Sequence, residues 1–127
     1  MTAPHDESPY KGKTGLRRLW NALGYSRDGL QAAYRHEDAF RQEVWLALLL
    51  VGVAIFLPQP LLAKGLLIGS VLLVLIVELL NSAIEAVVDR VSLDHHHLAK
   101  RAKDIGSAAV LIALLNAAVI WACVLLG

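Results

Sequence analysis

An apolar run long enough to cross a membrane acquires carboxylates before it ends, in Val77-Glu78-Leu79-Leu80-Asn81-Ser82-Ala83-Ile84-Glu85-Ala86-Val87-Val88-Asp89-Arg90. At about 100° per residue, Glu78, Asn81, Ser82, Glu85 and Asp89 fall on one narrow helix face. Leu79, Leu80, Ile84, Val87 and Val88 cover much of the rest. A charged side chain at the centre of an inserted helix costs roughly 2.5 to 3.5 kcal/mol. Acidic groups in such a segment are therefore expected to face protein, metal or water, and not lipid.

The remainder of the chain agrees with a small all-α membrane protein. Hydrophobic residues make up 57% of 127 residues, with a mean hydropathy of +0.55, against roughly 45 to 50% apolar content in soluble domains. A net charge of +1 excludes a generally basic nucleic-acid binder, and the single Cys123 excludes an internal disulfide. Three apolar spans are expected, each offering the ~20 residues that a crossing helix needs. They cover about 38–57, ending at Pro58-Gln59-Pro60, then 61–91, then 97–126, whose apolar part starts near Ile105. The second exceeds the hydrocarbon layer, so its polar end should rise through the interface and leave Glu78 deepest. Apart from Lys64, every Lys and Arg lies before or at the entrance of the first span, or around the second-to-third connection. The positive-inside rule then puts the N-terminus and that connection in the cytoplasm, in a multi-pass inner-membrane topology.

Residues 1–13 read as a disordered, polar tail without the apolar core of a signal peptide. Residues 14–127 form one membrane domain. From 14 to 36, Leu16, Leu19, Trp20 and Leu23 share a face, with Arg17, Arg18 and Arg27 toward the other side. The pattern predicts an amphipathic helix on the membrane surface, broken or bent near Gly24 and Gly29. Gly12-Lys13-Thr14 imitates the end of a phosphate-binding loop, but Glu7 stands where such a loop needs glycine and no buried strand precedes it. Gly65 and Gly69 form a small-xxx-small pair suited to close helix approach.

The chemistry must then come from the acidic stripe and whatever reaches it. Glu37 lies at the entrance of the first span and Glu85 near the same end of the second, so their oxygens could meet around a hard divalent cation. Mg²⁺ commonly keeps waters and takes one or two carboxylates plus substrate phosphates, which makes a nucleotide site possible without a glycine-rich loop. Lys103 and Asp104 open the third span on the same side. The lysine could neutralise phosphate charge, and Glu78, about 10 Å deeper than Glu85, could accept a proton from a lipid hydroxyl. The plainer alternative is a stripe that only bonds helices together.

Three blocks sharpen that reading: Glu37-Asp38-Ala39-Phe40-Arg41-Gln42-Glu43, the stretch from Glu78 to Arg90, and Arg101-Ala102-Lys103-Asp104-Ile105-Gly106-Ser107-Ala108-Ala109. With Gly24-Tyr25-Ser26 and the spacing between blocks, they closely resemble the prokaryotic integral-membrane diacylglycerol kinases, from about Leu16 to the C-terminus. The resemblance implies a homotrimer of three-span subunits with an N-terminal surface helix and sites between protomers. It also implies transfer of the γ-phosphoryl of MgATP to 1,2-diacylglycerol, giving phosphatidic acid.

Carried over by residue, the resemblance makes Glu78 the catalytic base and Glu37 and Glu85 the Mg²⁺ ligands. Nucleotide contacts fall to Arg18, Tyr25, Glu37, Glu85, Lys103 and Asp104, with Asp94, His95 and His96 from the connection. Lipid-side or polar active-site positions fall to Arg18, Ser26, Ala39, Gln42, Asn81 and Ser107. The triple histidine His95-His96-His97 and Lys100 differ from the family's usual tract. Two other readings stay open: an undecaprenol kinase of the same superfamily, and a small proton- or cation-coupled transporter using Glu78 and Glu85.

Overall fold

A computed structural model describes residues 15–91 and 97–127. Among them are four α-helices: α1 (Gly15–His36), α2 (Asp38–Phe56), α3 (Leu61–Val91) and α4 (His97–Leu126). The last three are long and apolar enough to cross a membrane. Leu57, expected as the last residue of the first span, is extended (φ −67°, ψ 145°) and lies outside α2. Pro58 explains this, because its ring disfavours helical geometry in the residue before it.

The α2–α3 turn is tied at several points. The Leu57 N–H donates to Val53 O at 3.0 Å, and the Gln59 N–H to Leu57 O at 2.8 Å. Lys64 N–H donates to Pro60 O at 3.0 Å. The Lys64 ammonium donates to Ile55 O at 2.7 Å, capping a carbonyl left over at the end of α2. The one cation that breaks the charge asymmetry of the chain therefore has a local structural task.

α3 is central. It packs most extensively against α4 and then against α2, while α1 packs against α2. Its buried residues Leu67, Ser70, Val71, Val74 and Glu78 recur at helical spacing on one face. The Ser70 hydroxyl is satisfied by donating to Leu67 O at 2.8 Å. The facing helices contribute mainly small groups, Ala47 and Ala54 on α2 and Gly106 and Ala113 on α4. Small side chains bring helix axes close where lipid gives no hydrophobic drive for association. Large apolar side chains such as Leu72, Ile76, Ile112 and Val119 point outward.

Two expectations change. α1 runs without interruption through Gly24 and Gly29, since a helical glycine costs only about 1 kcal/mol and adds no steric obligation to bend. Gly65 and Gly69 have nothing within 4 Å of where a Cβ would stand. Within the chain their faces are open, and the close α3–α4 approach occurs instead at Gly106.

Replacing Lys64 by Met keeps the apolar stem but removes the cap on Ile55 O. We expect a loss of about 0.5 to 1.5 kcal/mol, read as a lower thermal midpoint in detergent with helix content retained. An unchanged midpoint would show that the turn is held by its prolines and backbone bonds alone.

Candidate active site

Glu37 occupies the single extended residue between α1 and α2, with φ −118° and ψ 106°. Its N–H donates to Ala33 O at 2.9 Å, and its carbonyl accepts from Arg41 N–H at 3.1 Å. Although it sits at the N-cap of α2, its side chain makes no capping bond. The backbone is fixed on both sides while the carboxylate is left for another partner.

Around this corner Arg41 ties α1 to α2. Its Nη1 donates to Tyr34 O at 2.8 Å, Nη2 bonds the Asp38 carboxylate, and the guanidinium stands 5.7 Å from the Tyr34 ring centroid. The Trp45 indole N–H donates to the Tyr34 hydroxyl at 3.0 Å. These bonds set the angle at which Glu37 leaves the chain.

Glu37 opens onto two cavities. The smaller, about 260 Å³, is lined by Glu37, Ala39, Glu78, Asn81, Ser82, Glu85, Ser107 and Val110. The larger, about 920 Å³, adds Ser26, His36, Asp89 and Lys103 and shares Glu37, Ser82 and Glu85 with the first. Glu37 and Glu85 thus stand where the two chambers meet, and Glu85 lies in the electrostatic range of Glu37, Lys103, Asp89 and Glu78. Glu78, 7% exposed, closes the small chamber. Lys103 reaches the large one while its ammonium pairs with Asp89 at 2.7 Å, joining α4 to α3.

Such an arrangement suits a hard cation only in part. Among the described residues no group of three or more His, Cys, Asp or Glu side chains could hold a metal. Two carboxylates facing open volume match an ion that completes its shell with water and phosphate oxygens, as Mg²⁺ does.

Most of the expected site residues come together: Glu37, Ala39, Glu78, Asn81, Glu85 and Ser107 around the small chamber, Ser26 and Lys103 around the large one. Others do not meet them within one chain. The Asp104 carboxylate pairs with Lys100 at 2.7 Å in a groove shared with His97 and Arg101. Gln42 is exposed and Tyr25 half-exposed, and neither lines either chamber. Arg18 precedes His36 by 18 residues of α1, about 27 Å along the axis, and cannot reach the Glu37 corner of its own chain. Asp94, His95 and His96 lie outside the described residues.

Two groups that are not among the expected site residues also stand here. Glu43 of α2 brings its carboxyl within hydrogen-bonding reach of Glu78, and its Oε2 is buried without a partner. An ionisable group inside an apolar span is itself the signal that could have found it. Asp89 belongs to the stripe, but its hold on Lys103 depends on how α3 and α4 pair, which no local pattern encodes.

Comparison with known proteins gives the arrangement a context. Residues 24–125 match the family model described as prokaryotic diacylglycerol kinase. The chain is 57% identical over 120 residues to a diacylglycerol kinase of Pseudomonas aeruginosa, covering 94% of this chain and 98% of that protein. It is 55% identical over 113 residues to a diacylglycerol kinase of Escherichia coli K12, covering 89% and 92%. To a diacylglycerol kinase of Helicobacter pylori 26695 it is 48% identical over 121 residues, covering 95% and 94%.

If the α1–α2 corner rests on Arg41, then Arg41→Ala should cost about 1.5 to 3 kcal/mol, the range for bonds to a charged group. Tyr34→Phe, which loses only the Trp45 bond, should cost about 0.5 to 1.5 kcal/mol. Reversible unfolding in mixed micelles would rank the two. Equal losses would mean that the guanidinium holds the corner no more strongly than the single tyrosine hydroxyl does.

Proposed function

The chain belongs to the prokaryotic diacylglycerol kinase family, and from that membership we propose that it transfers the γ-phosphoryl of MgATP to the free hydroxyl of 1,2-diacylglycerol, giving phosphatidic acid. It is a lipid kinase and an integral membrane protein. The observation that carries the mechanistic reading is the buried Glu78 at the end of a chamber whose mouth is flanked by Glu37 and Glu85.

Each element takes a role consistent with its chemistry. The larger chamber receives the triphosphate, with Lys103 offsetting its charge, and the smaller admits the lipid hydroxyl. Glu37 and Glu85 would hold Mg²⁺, which when bound screens the phosphate oxygens and supports charge on the departing diphosphate. Glu78 takes the hydroxyl proton as the lipid oxygen forms its bond to the γ-phosphorus. The bond from that phosphorus to the β,γ-bridging oxygen breaks in line, and ADP leaves. Positioning and charge supply most of the acceleration, and no phosphoenzyme is needed.

Residues 14–127 act as one membrane domain, with the N-terminus and the α3–α4 connection on the cytoplasmic side of the inner membrane, as the Lys and Arg distribution favours. α1 lies along that surface, its exposed Leu16, Leu19, Trp20 and Leu23 toward lipid. The chain works as a homotrimer with sites between protomers. Arg18, Tyr25, Gln42 and Asp104, which miss the chambers of their own chain, would serve a neighbour's site, and Asp94, His95 and His96 would meet nucleotide. An ion pathway has less support: between Glu43 and Glu78 the only ionisable side chain is Lys64, already bonded to Ile55 O.

Purified protein in mixed micelles with MgATP should phosphorylate diacylglycerol in preference to undecaprenol, and the reverse preference would overturn the substrate assignment. Glu78→Gln should retain nucleotide binding and lose about 10² to 10⁴ in turnover, the usual worth of a general base; near-parental turnover removes Glu78 from the mechanism. Glu37→Gln and Glu85→Gln should each raise the Mg²⁺ concentration needed for half-maximal rate at saturating lipid. Parental Mg²⁺ dependence with lowered thermal stability would leave these carboxylates a structural role only.

A further inference from the structure

One contact in the small chamber is set by the absence of a side chain. Gly106 of α4 is buried, and a Cβ placed there would run into Oδ1 of Asn81 on α3, with the Asn81 Cγ at 3.2 Å. Gly24, Gly29, Gly52, Gly65 and Gly69 have open space at the corresponding point. Gly106 is therefore, among the helical glycines described, the one whose missing side chain is replaced by a group from another helix.

The Asn81 amide is seated with its oxygen on the Gly106 side. Its Oδ1 is buried with no hydrogen-bond partner, whereas Nδ2 is not among the buried unpartnered atoms. Because the amide is planar, an oxygen turned toward Gly106 leaves the two N–H donors on the other side. Asn81 lines the small chamber with Glu78, Ser82, Glu85 and Ser107. An unpaired buried oxygen costs stability, and packing alone gives no reason to keep it. Along α3, Asn81 lies about 4.5 Å beyond Glu78 and about 6 Å before Glu85. Asn81 thus stands between the group assigned to the lipid hydroxyl and the group assigned to the metal, where phosphoryl oxygens carry charge during transfer.

Resting on the kinase function proposed for the chain, we propose that Gly106 is a positioning residue for phosphoryl transfer: by carrying no side chain it holds the Asn81 amide with Nδ2 toward the phosphoryl group in transit. The first atom that an added methyl meets is the end of a rotatable side chain rather than backbone. Gly106→Ala therefore turns the amide and spares the helix pair. Donors aimed at developing charge act in the transition state more than in the ground state, so the loss belongs to kcat.

The test compares the parent chain with Gly106→Ala, Asn81→Ala and the double variant, all in mixed micelles with MgATP and a short-chain diacylglycerol. It reads kcat, KM for MgATP and thermal midpoint. Gly106→Ala should lower kcat by about 10²-fold, the scale for one preorganised donor, with KM for MgATP within about twofold and a near-parental midpoint. In the Asn81→Ala background, which gives the methyl room, the same change should alter kcat by less than about twofold, because both substitutions remove one interaction. Parental kcat in Gly106→Ala overturns the proposal. So does an equal fold-loss in both backgrounds, or a fall in midpoint that accounts for the lost activity and is relieved by Asn81→Ala. A parent chain inactive on diacylglycerol would instead overturn the kinase function, an outcome that the variant comparisons do not mimic.

Discussion

A carboxylate inside a lipid-spanning helix has to be received by something other than lipid, and the structure is arranged around that requirement. α3 carries Glu78, Glu85 and Asp89 on one face, and each meets protein. Glu78 is buried beside Glu43, Glu85 faces Glu37 across the junction of two chambers, and Asp89 pairs with Lys103. The helices flanking α3 are placed so that these groups have partners. α2 contributes Ala47 and Ala54 lower in the bundle and Glu43 higher up, while α4 contributes Ala113 and then Gly106. One helix pair changes from tight apolar packing to a polar chamber within a few turns.

On the proposed function, the same requirement separates the chemistry along the axis of α3. Charge density is greatest at the end where α1 meets α2 and α3 approaches α4, the place suited to a triphosphate. Deeper along α3 the small chamber is lined by Glu78, Asn81 and Ser107, groups that on the proposed function receive a single hydroxyl whose acyl chains remain in lipid. Glu37 and Glu85 line both volumes, so an ion held there is within reach of a nucleotide on one side and an acceptor on the other. The Arg41–Tyr34 corner matters because it sets the direction of Glu37 without using its carboxylate.

What could be read from the residues alone follows from how local each signal is. The ends of α3 and the stripe on its face were legible, because Pro60, hydrophobic period and side-chain spacing are properties of one segment. Membership of the kinase family was legible in contiguous blocks such as Glu78 to Arg90. The partners of the stripe were not. That Glu43 faces Glu78, that Asp89 holds Lys103, and that Gly106 receives Asn81 are all consequences of helix register, and register is fixed by packing across the bundle. Gly65 and Gly69 illustrate the converse: their spacing promised close approach, yet their faces are open within the chain. Arg18 and Asp104 bear expected site roles but lie away from the chambers of their own chain.

On the proposed mechanism both substrates meet in one site and the phosphoryl group passes directly between them. The stereochemical course at phosphorus separates this route from one through a phosphoenzyme. With ATP made chiral at the γ-phosphorus by sulfur and oxygen isotopes, a single in-line displacement predicts inversion of configuration in the phosphorylated diacylglycerol. Retention would mean two displacements through a phosphorylated side chain, and would contradict direct transfer between the joined chambers.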